Sequence, residues 1–319
     1  MILRDLPLTD LTACLRGAGI ILTTGAFRVH LRTGEPSLAR TLAQAYAAHA
    51  VETDAGCYHV RVEIARGRWR GPGRDRGVTA LIDGEPILGP FPSYLAYPML
   101  ESILNWCIAK QVLRHIVFHA GAVERNGRAL ILTGPSGSGK STLCAALSQT
   151  RWRLLSDELI LLRPGTGPSD GPKIIANPRP VSLKNEAIAR IRETAPAARF
   201  TEAYEGTVRG TISFLHPLPE AVARAGEPAP PGHVVFPSFE AGVPARLKEL
   251  ERAQGFMRLV ENSVNYSAAL RRGFEAVADL AETCRFYELS FGDLESAFNA
   301  IESICARGRE QGPGGAAVA

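Results

Sequence analysis

From Cys57 to Ala65 (CYHVRVEIA) apolar and polar positions alternate, the pattern of a strand with one buried face. Residues 20–32 (IILTTGAFRVHLR) read as a strand or a bent hairpin strand, and alanine-rich Ser37 to Ala50 reads as a helix with Ser37 as its cap. Arg66 to Gly77 breaks the alternation with glycine, proline and five arginines, and short strands resume at Val78 to Ile82 and Pro86 to Leu88. The arginine run around Trp69 is either a contact for an acidic partner or a solvated hairpin loop. Together these stretches predict a small α+β module over residues 1–92.

Ser93 to Arg114 is apolar at helical spacing, with Pro98 as a point of kinking. The strand HIVFHAGAVER follows, then Asn126-Gly127, then the apolar run Ala129 to Leu132. Asn-Gly between two apolar runs is the strongest short-range hairpin signal, so these two strands are expected to pair antiparallel. Strands are also read at Arg153 to Ser156, Leu159 to Arg163, Lys173 to Ala176, Thr207 to Leu215 and His233 to Phe236. A helix is read at Leu183 to Glu193, and Val222 to Gly232 is a proline-rich connector. From Leu250 the spacing turns helical, with one further strand at Cys284 to Ser290 and a last helix, capped by Asp293, ending near Ala306. This predicts a P-loop domain over 93–306 and a disordered glycine- and alanine-rich tail over 307–319.

Chemistry enters at ALILTGPSGSGKST (129–142), where a strand, a glycine-rich turn and a helix start carry the spacing Gly134, four residues, Gly139, Lys140, Ser141 of a phosphate-binding P-loop. Gly134, Gly137 and Gly139 let the backbone curl with its N–H groups inward, and the helix start adds partial positive charge. The candidate nucleotide-binding residues are Gly134, Pro135, Ser136, Gly137, Ser138, Gly139, Lys140, Ser141 and Thr142. Lys140 reaches β/γ oxygens and the Ser141 hydroxyl ligates Mg²⁺ in such loops.

Composition narrows the classes. The chain has 319 residues, 45% apolar and 21% charged, with a formal charge of +4, so charge gives no support to a nucleic-acid or membrane partner. Only Lys110, Lys140, Lys173, Lys184 and Lys248 are lysines. The six cysteines are scattered without a CxxC pair, which speaks for small buried hydrophobes rather than a zinc site or disulfide framework. Asp5 and Asp10 interrupt the N-terminal apolar residues, so no signal peptide is expected, and no window approaches a membrane span. A cytoplasmic location is the expectation.

Asp157 lies seventeen residues after Lys140, close enough for one helix and one adjacent strand to bring it back beside the phosphates. A carboxylate there either holds Mg²⁺ or accepts a proton from the attacking group. Asp157 and Glu158 point to opposite faces of a regular strand, so both serve one site only if the backbone turns at this point. His119, one strand upstream, is either a core histidine or a cleft residue. Arg179 and Lys184 either bind phosphate or acceptor or are structural, and Asn185 is a weaker candidate of the same kind.

The run FHAGAV (118–123), the P-loop, LLSDE (154–158) and VRG (208–210) together resemble the bacterial HPr kinase/phosphorylase family. The likeness is strongest to its offshoot, the HPr-kinase-related kinases of type A, with NPRPVSLKNEAI (177–188) also similar. It covers roughly residues 115 to 240. The resemblance implies an α/β fold with a mixed sheet like that of phosphoenolpyruvate carboxykinase, and ATP- and Mg²⁺-dependent phosphorylation of a serine hydroxyl. It implies Asp157 as base, Glu158 or Ser141 at the metal (with Asp157 beside them), His119 near the phosphates and Arg209 on the transferring charge. Glu158 stands where the family has a second aspartate, Thr142 where the HPr enzyme has an acidic residue, and Arg209-Gly210-Thr211 shortens an Arg-Gly-x-Gly signature. These departures speak against HPr as acceptor and against a reverse phosphorylase.

The expectation is therefore an ATP-dependent serine kinase acting on a peptide or small protein, together with a PqqD-like peptide-binding partner by analogy with type A kinases, and with a homo-oligomer as in the HPr enzyme. A small-molecule alcohol kinase and a P-loop ATPase or nucleotide sensor are the alternatives.

Overall fold

The computed structural model describes residues 1–68, 76–111, 115–167 and 170–310. Helix α1 (Leu8–Arg16) leads into the hairpin β1 (Ile20–Thr24) and β2 (Phe27–Thr33), whose inward residues Phe27, Val29 and Leu31 are buried while Arg28, His30 and Arg32 are not. Helix α2 (Pro36–Ala45) is capped by Glu35, which accepts the Ser37 N–H, with Pro36 at the first helical position; the cap thus falls two residues before Ser37. Strands β3 (Val51–Glu52), β4 (Val60–Arg68), β5 (Arg76–Ile82) and β6 (Glu85–Pro92) complete a sheet of order β3-β1-β2-β4-β5-β6. The centre of the arginine run, with Trp69, lies outside the described residues; its flanks extend β4 and β5 as paired strands.

Helix α3 (Ala96–Gln111), preceded by a 3₁₀ turn, packs through Ala96, Leu100, Ile103, Leu104 and Cys107 on this N-terminal sheet. The sequence expectation placed it in the P-loop domain, whose Phe214 and Arg179 it also meets through Tyr97 and Glu101. Apolar spacing shows that a helix has a buried face but not which sheet covers it. Pro98 sits in the first turn, where no intrahelical N–H is required, so it has no cause to kink the helix.

The second sheet carries the P-loop. Strand β7 (Ile116–Arg125) and β8 (Arg128–Thr133) form the expected hairpin, with Asn126 at φ 53 and Gly127 at φ 76, the left-handed pair that a two-residue turn requires. Helix α4 (Lys140–Ser148) follows, then β9 (Arg153–Ser156) and β10 (Leu159–Arg163), both antiparallel to β7, then β11 (Lys173–Ile175). The chain next builds a small sheet from β12 (Val181–Lys184), β13 (Tyr204–Thr207) and β14 (Gly210–Leu215), with α5 (Glu186–Thr194) after β12. After α6 (Pro219–Ala223), β15 (Pro231–Phe239) enters the main sheet parallel to β8.

Strand β16 (Arg246–Leu250), helices α7 (Arg252–Glu261) and α8 (Tyr266–Thr283), strand β17 (Arg285–Phe291) and helix α9 (Leu294–Glu310) finish the described chain. The main sheet runs β11-β10-β7-β8-β15-β17-β16, mixing parallel and antiparallel pairs; the fold is α/β. One face, with Leu130 and Leu132, is covered by α4, α9 and the small sheet; the other, with Ala129 and Ile131, by α7 and α8. Asp293 caps α9 by accepting the Ser296 N–H at 2.8 Å, and α9 runs four residues beyond the expected end; residues 311–319 lie outside the described residues. Among the described residues no helix is long and apolar enough to cross a membrane.

Candidate active site at the P-loop cleft

Strands β8, β15 and β17 run parallel, so Thr133, Phe239 and Phe291 end at the same edge of the sheet. A cavity of about 610 Å³ opens along that edge. Gly134 (φ 146), Gly137 (φ 84) and Gly139 (φ 93) hold the loop in dihedrals that L side chains rarely adopt. Gly139 caps α4, so the helix starts at Lys140 with its N-terminus toward the cleft. The Lys140 side chain is buried; its Nζ donates to the Gly134 and Pro135 carbonyls at 2.7 and 2.8 Å. Burial lowers its pKa, against the opposing pull of Asp157 and Glu158. Ser136, Gly137, Gly139, Ser141 and Thr142 also line the cavity, whereas the Ser138 hydroxyl is turned inward and has no partner.

Asp157 and Glu158 sit where β9 passes into β10. The Leu159 N–H donates to the Asp157 carbonyl at 2.9 Å, and Glu158 has φ 68. That is a γ-turn, a strained conformation for a residue with a side chain. It breaks the strand alternation, and both carboxylates line the same cavity. The condition under which the pair serves one site is met.

Asp157 is 8% exposed, and neither carboxylate oxygen has a hydrogen-bond partner. Burial first, and the neighbouring Glu158 second, push its pKa up from 3.8 to about 7; the nearby Ser141 hydroxyl, outside hydrogen-bond geometry, opposes this. The carboxylate is admitted by Gly121 of β7, where a Cβ would come within 3.2 Å of Asp157 Oδ1 and 3.1 Å of Cys144 Sγ. Glu158 lies between His119 Nδ1 at 3.8 Å and Lys184 Nζ at 3.9 Å. His119 is a cleft residue rather than a core histidine; burial lowers its pKa, and Glu158 opposes this.

Arg209 lies at a hairpin tip rather than within a strand. The stretch Thr207 to Leu215 is not one strand: β13 and β14 form a hairpin with Val208 and Arg209 at its tip and Gly210 at φ 84. The tip nevertheless lines the cavity. It is held by Asn185, whose N–H donates to the Thr211 carbonyl at 2.9 Å, whose Oδ1 accepts the Thr211 N–H at 3.0 Å and whose Nδ2 donates to the Arg209 carbonyl. A Cβ on Gly210 would overlap Asn185 Oδ1, which explains the Arg-Gly pair. Asn185 itself has φ 51 and ψ −125. Its part was underweighted in the sequence, where the single clue was an asparagine between a strand and a helix.

Arg179 faces away from the cleft: buried with Glu101 at 3.2 Å and with Asn105, it joins the 177–180 segment to α3, while His49 meets the Pro178 carbonyl at 2.9 Å. Its role is structural. Sequence reasoning missed Glu186, Arg190, Phe239 and Phe291, which line the cavity from α5, β15 and β17. No cysteine pairs with another; Cys107, Cys144 and Cys284 are buried and Cys57 is exposed. No group of three or more metal-ligating side chains occurs among the described residues. Magnesium needs no such group, since it is held by one or two carboxylates and substrate phosphates. The unpartnered Asp157 carboxylate beside Ser141 fits it.

No protein-family model and no curated protein matches the chain. Among solved structures, the HPr(Ser) kinase/phosphatase from Coxiella burnetii aligns with 61% of this chain and 94% of its own, at 11% identity and a TM-score of 0.25.

Proposed function

We propose that the protein is an ATP-dependent kinase that transfers the γ-phosphoryl group to a hydroxyl, with serine of a peptide or small protein as the acceptor. The observation that carries this reading is the buried, unpartnered Asp157 carboxylate, with a pKa near neutrality, in the cavity that also holds the P-loop. A buried carboxylate poised near the working pH is suited to taking a proton from the attacking hydroxyl. The acceptor class rests on the family resemblance.

In the proposed reaction the acceptor oxygen bonds to the γ-phosphorus, the bond from that phosphorus to the β,γ-bridging oxygen breaks, and ADP leaves. Asp157 takes the hydroxyl proton. Lys140 and the α4 N-terminus offset the triphosphate charge, and Arg209, at a tip fixed by Asn185, offers a guanidinium to the charge in transit. Ser141 and Glu158 would hold Mg²⁺, with Asp157 beside them, and the ion supplies further neutralisation of the phosphate oxygens. The strained turn at Glu158 serves to bring both carboxylates to one site.

Incubation with γ-labelled ATP and serine peptides, read by mass spectrometry, tests the proposal. Wild-type protein is expected to phosphorylate a serine, and Asp157→Asn to bind ATP yet lose transfer by about 10²–10⁴-fold. Rapid ATP hydrolysis without acceptor, undiminished in Asp157→Asn, would overturn it in favour of a hydrolase.

A further inference from the structure

The two ends of the cavity differ in chemistry. At the β7–β10 end lie His119, Asp157 and Glu158. Across the P-loop, at the β15–β17 end, the lining beyond the loop itself is Ala187, Phe239, Phe291 and Leu294, with Arg190 and its partner Glu186. The aromatic pair is built into the phosphate cradle: the Phe239 N–H donates to the Ser138 carbonyl at 3.2 Å, and a Cβ on Gly139 would sit 3.0 Å from Phe291 and 3.2 Å from Phe239. The two rings meet edge to face at 5.5 Å, which holds both in place.

Arg190 lies with its guanidinium 4.3 Å from the centroid of the Phe239 ring and pairs with Glu186 at 3.0 Å. One face of the planar cation is thus spent on phenylalanine, while the side chain remains 35% exposed. Guanidinium planes and aromatic rings are the surfaces on which nucleobases stack. If the γ-phosphoryl group lies beside Asp157, the triphosphate threads the P-loop and leaves its nucleoside at this aromatic end.

We propose that Arg190 on Phe239, backed by Phe291, forms a nucleobase-stacking subsite. This rests on the reading of the P-loop cleft as a nucleotide site, and it adds a specificity claim. Among the described residues that line this end, apart from the P-loop, the charged side chains are Arg190 and Glu186, which are paired to each other, so the base is held by its face rather than read at its edge. Adenine and guanine are therefore accepted about equally.

Calorimetric titration with MgATP, MgGTP and magnesium tripolyphosphate tests this, since tripolyphosphate occupies the phosphate cradle without a base. MgATP and MgGTP are expected to bind within about threefold of each other and at least about fivefold more tightly than tripolyphosphate, the lower end of stacking on one side chain. Arg190→Ala should remove most of that advantage while leaving the fold intact, because Arg190 is a half-exposed surface residue. Arg190→Lys, which keeps the charge but not the plane, should behave like Arg190→Ala. Phe239→Leu gives a second route to the same loss, with its melting temperature as the control for folding.

Equal binding of ATP and tripolyphosphate by the wild type would overturn the subsite. Equal weakening of both ligands in Arg190→Ala would make Arg190 a phosphate-binding charge, and nucleotide binding left unchanged in Arg190→Ala would take the base off this wall; either result overturns the proposal. Binding is measured without turnover, so these outcomes stand apart from the kinase reading, which Asp157→Asn decides.

Discussion

The Asp157 carboxylate should cost the fold stability, and the cost can be worked from its surroundings. Its pKa rises from 3.8 in the unfolded chain to about 7 in the native protein, and at 8% exposure no solvent discount applies. Between those values the native state holds a proton that the unfolded state has lost, so stability falls as pH rises through that window and levels off above about 7. At 1.36 kcal/mol per pH unit the penalty at pH 8 is about 4 kcal/mol. Asp157→Asn removes the charge but leaves an amide whose burial without partners costs roughly 1–3 kcal/mol. The variant should therefore be inactive yet more stable at pH 8, by about 1–3 kcal/mol. At a few degrees per kcal/mol, that is roughly 3–8 °C in melting temperature. The gap should shrink by roughly 2–3 kcal/mol at pH 5, where most of the penalty has gone. Thermal melts in EDTA without nucleotide, at both pH values, make the measurement. An asparagine variant no more stable than wild type at pH 8, or a gap that ignores pH, would refute the reasoning and with it the picture of a strained, poised base.

The same raised pKa requires kcat/KM for phosphoryl transfer to fall about tenfold per pH unit below about 7, because the acting base is the ionised form; a flat profile between pH 5 and 7 would exclude Asp157 from that role. Gly121→Ala puts a methyl group about 3.2 Å from Asp157 Oδ1, and it should cut turnover by roughly tenfold or more in steady-state assays with little change in ATP affinity by calorimetry. Gly210→Ala breaks the Asn185 clamp and strains a residue at φ 84; turnover should drop roughly tenfold while the fold loses only about 1 kcal/mol in denaturant titration. Far from the cleft, Arg153 is buried against Glu124 at 2.8 Å and donates to the Arg224 and Glu227 carbonyls, so Arg153→Met should cost about 3–5 kcal/mol in the same titration.

What could be read beforehand was what neighbouring residues encode together. The P-loop, the Asn126-Gly127 turn and the early return of Asp157 are set by short stretches, and the hairpin explains the last of these. Because β7 doubles back on β8, a strand pairing with β7 delivers Asp157 to the loop after a single nine-residue helix. The γ-turn at Glu158 was legible only as a condition, since the sequence cannot report a φ of 68 on glutamate. The hairpin that carries Arg209 was not legible because Thr207 to Leu215 reads as one strand, and the turn depends on Gly210 being the residue that Asn185, twenty-five positions earlier, approaches. The aromatic wall was invisible for the same reason. Phe239 and Phe291 lie some fifty residues apart, and each reads as a core residue at a strand end until β15 and β17 pair in parallel beside β8.

This division has a physical source that bears on function. Phosphate recognition uses backbone N–H groups, so it is written in the local dihedrals that glycine permits and survives in a short motif. Recognition of a base or an acceptor uses side-chain surfaces brought together by the sheet, and any chain that pairs the right strands can rebuild it from different residues. The portion of the cleft that defines a nucleotide site is therefore the portion a sequence displays. On the kinase reading proposed above, the base would meet α5 and the ends of β15 and β17 and the acceptor the β13–β14 tip, so substitutions that change how tightly a base is held or which hydroxyl is taken should fall there and leave Gly134 to Thr142 untouched.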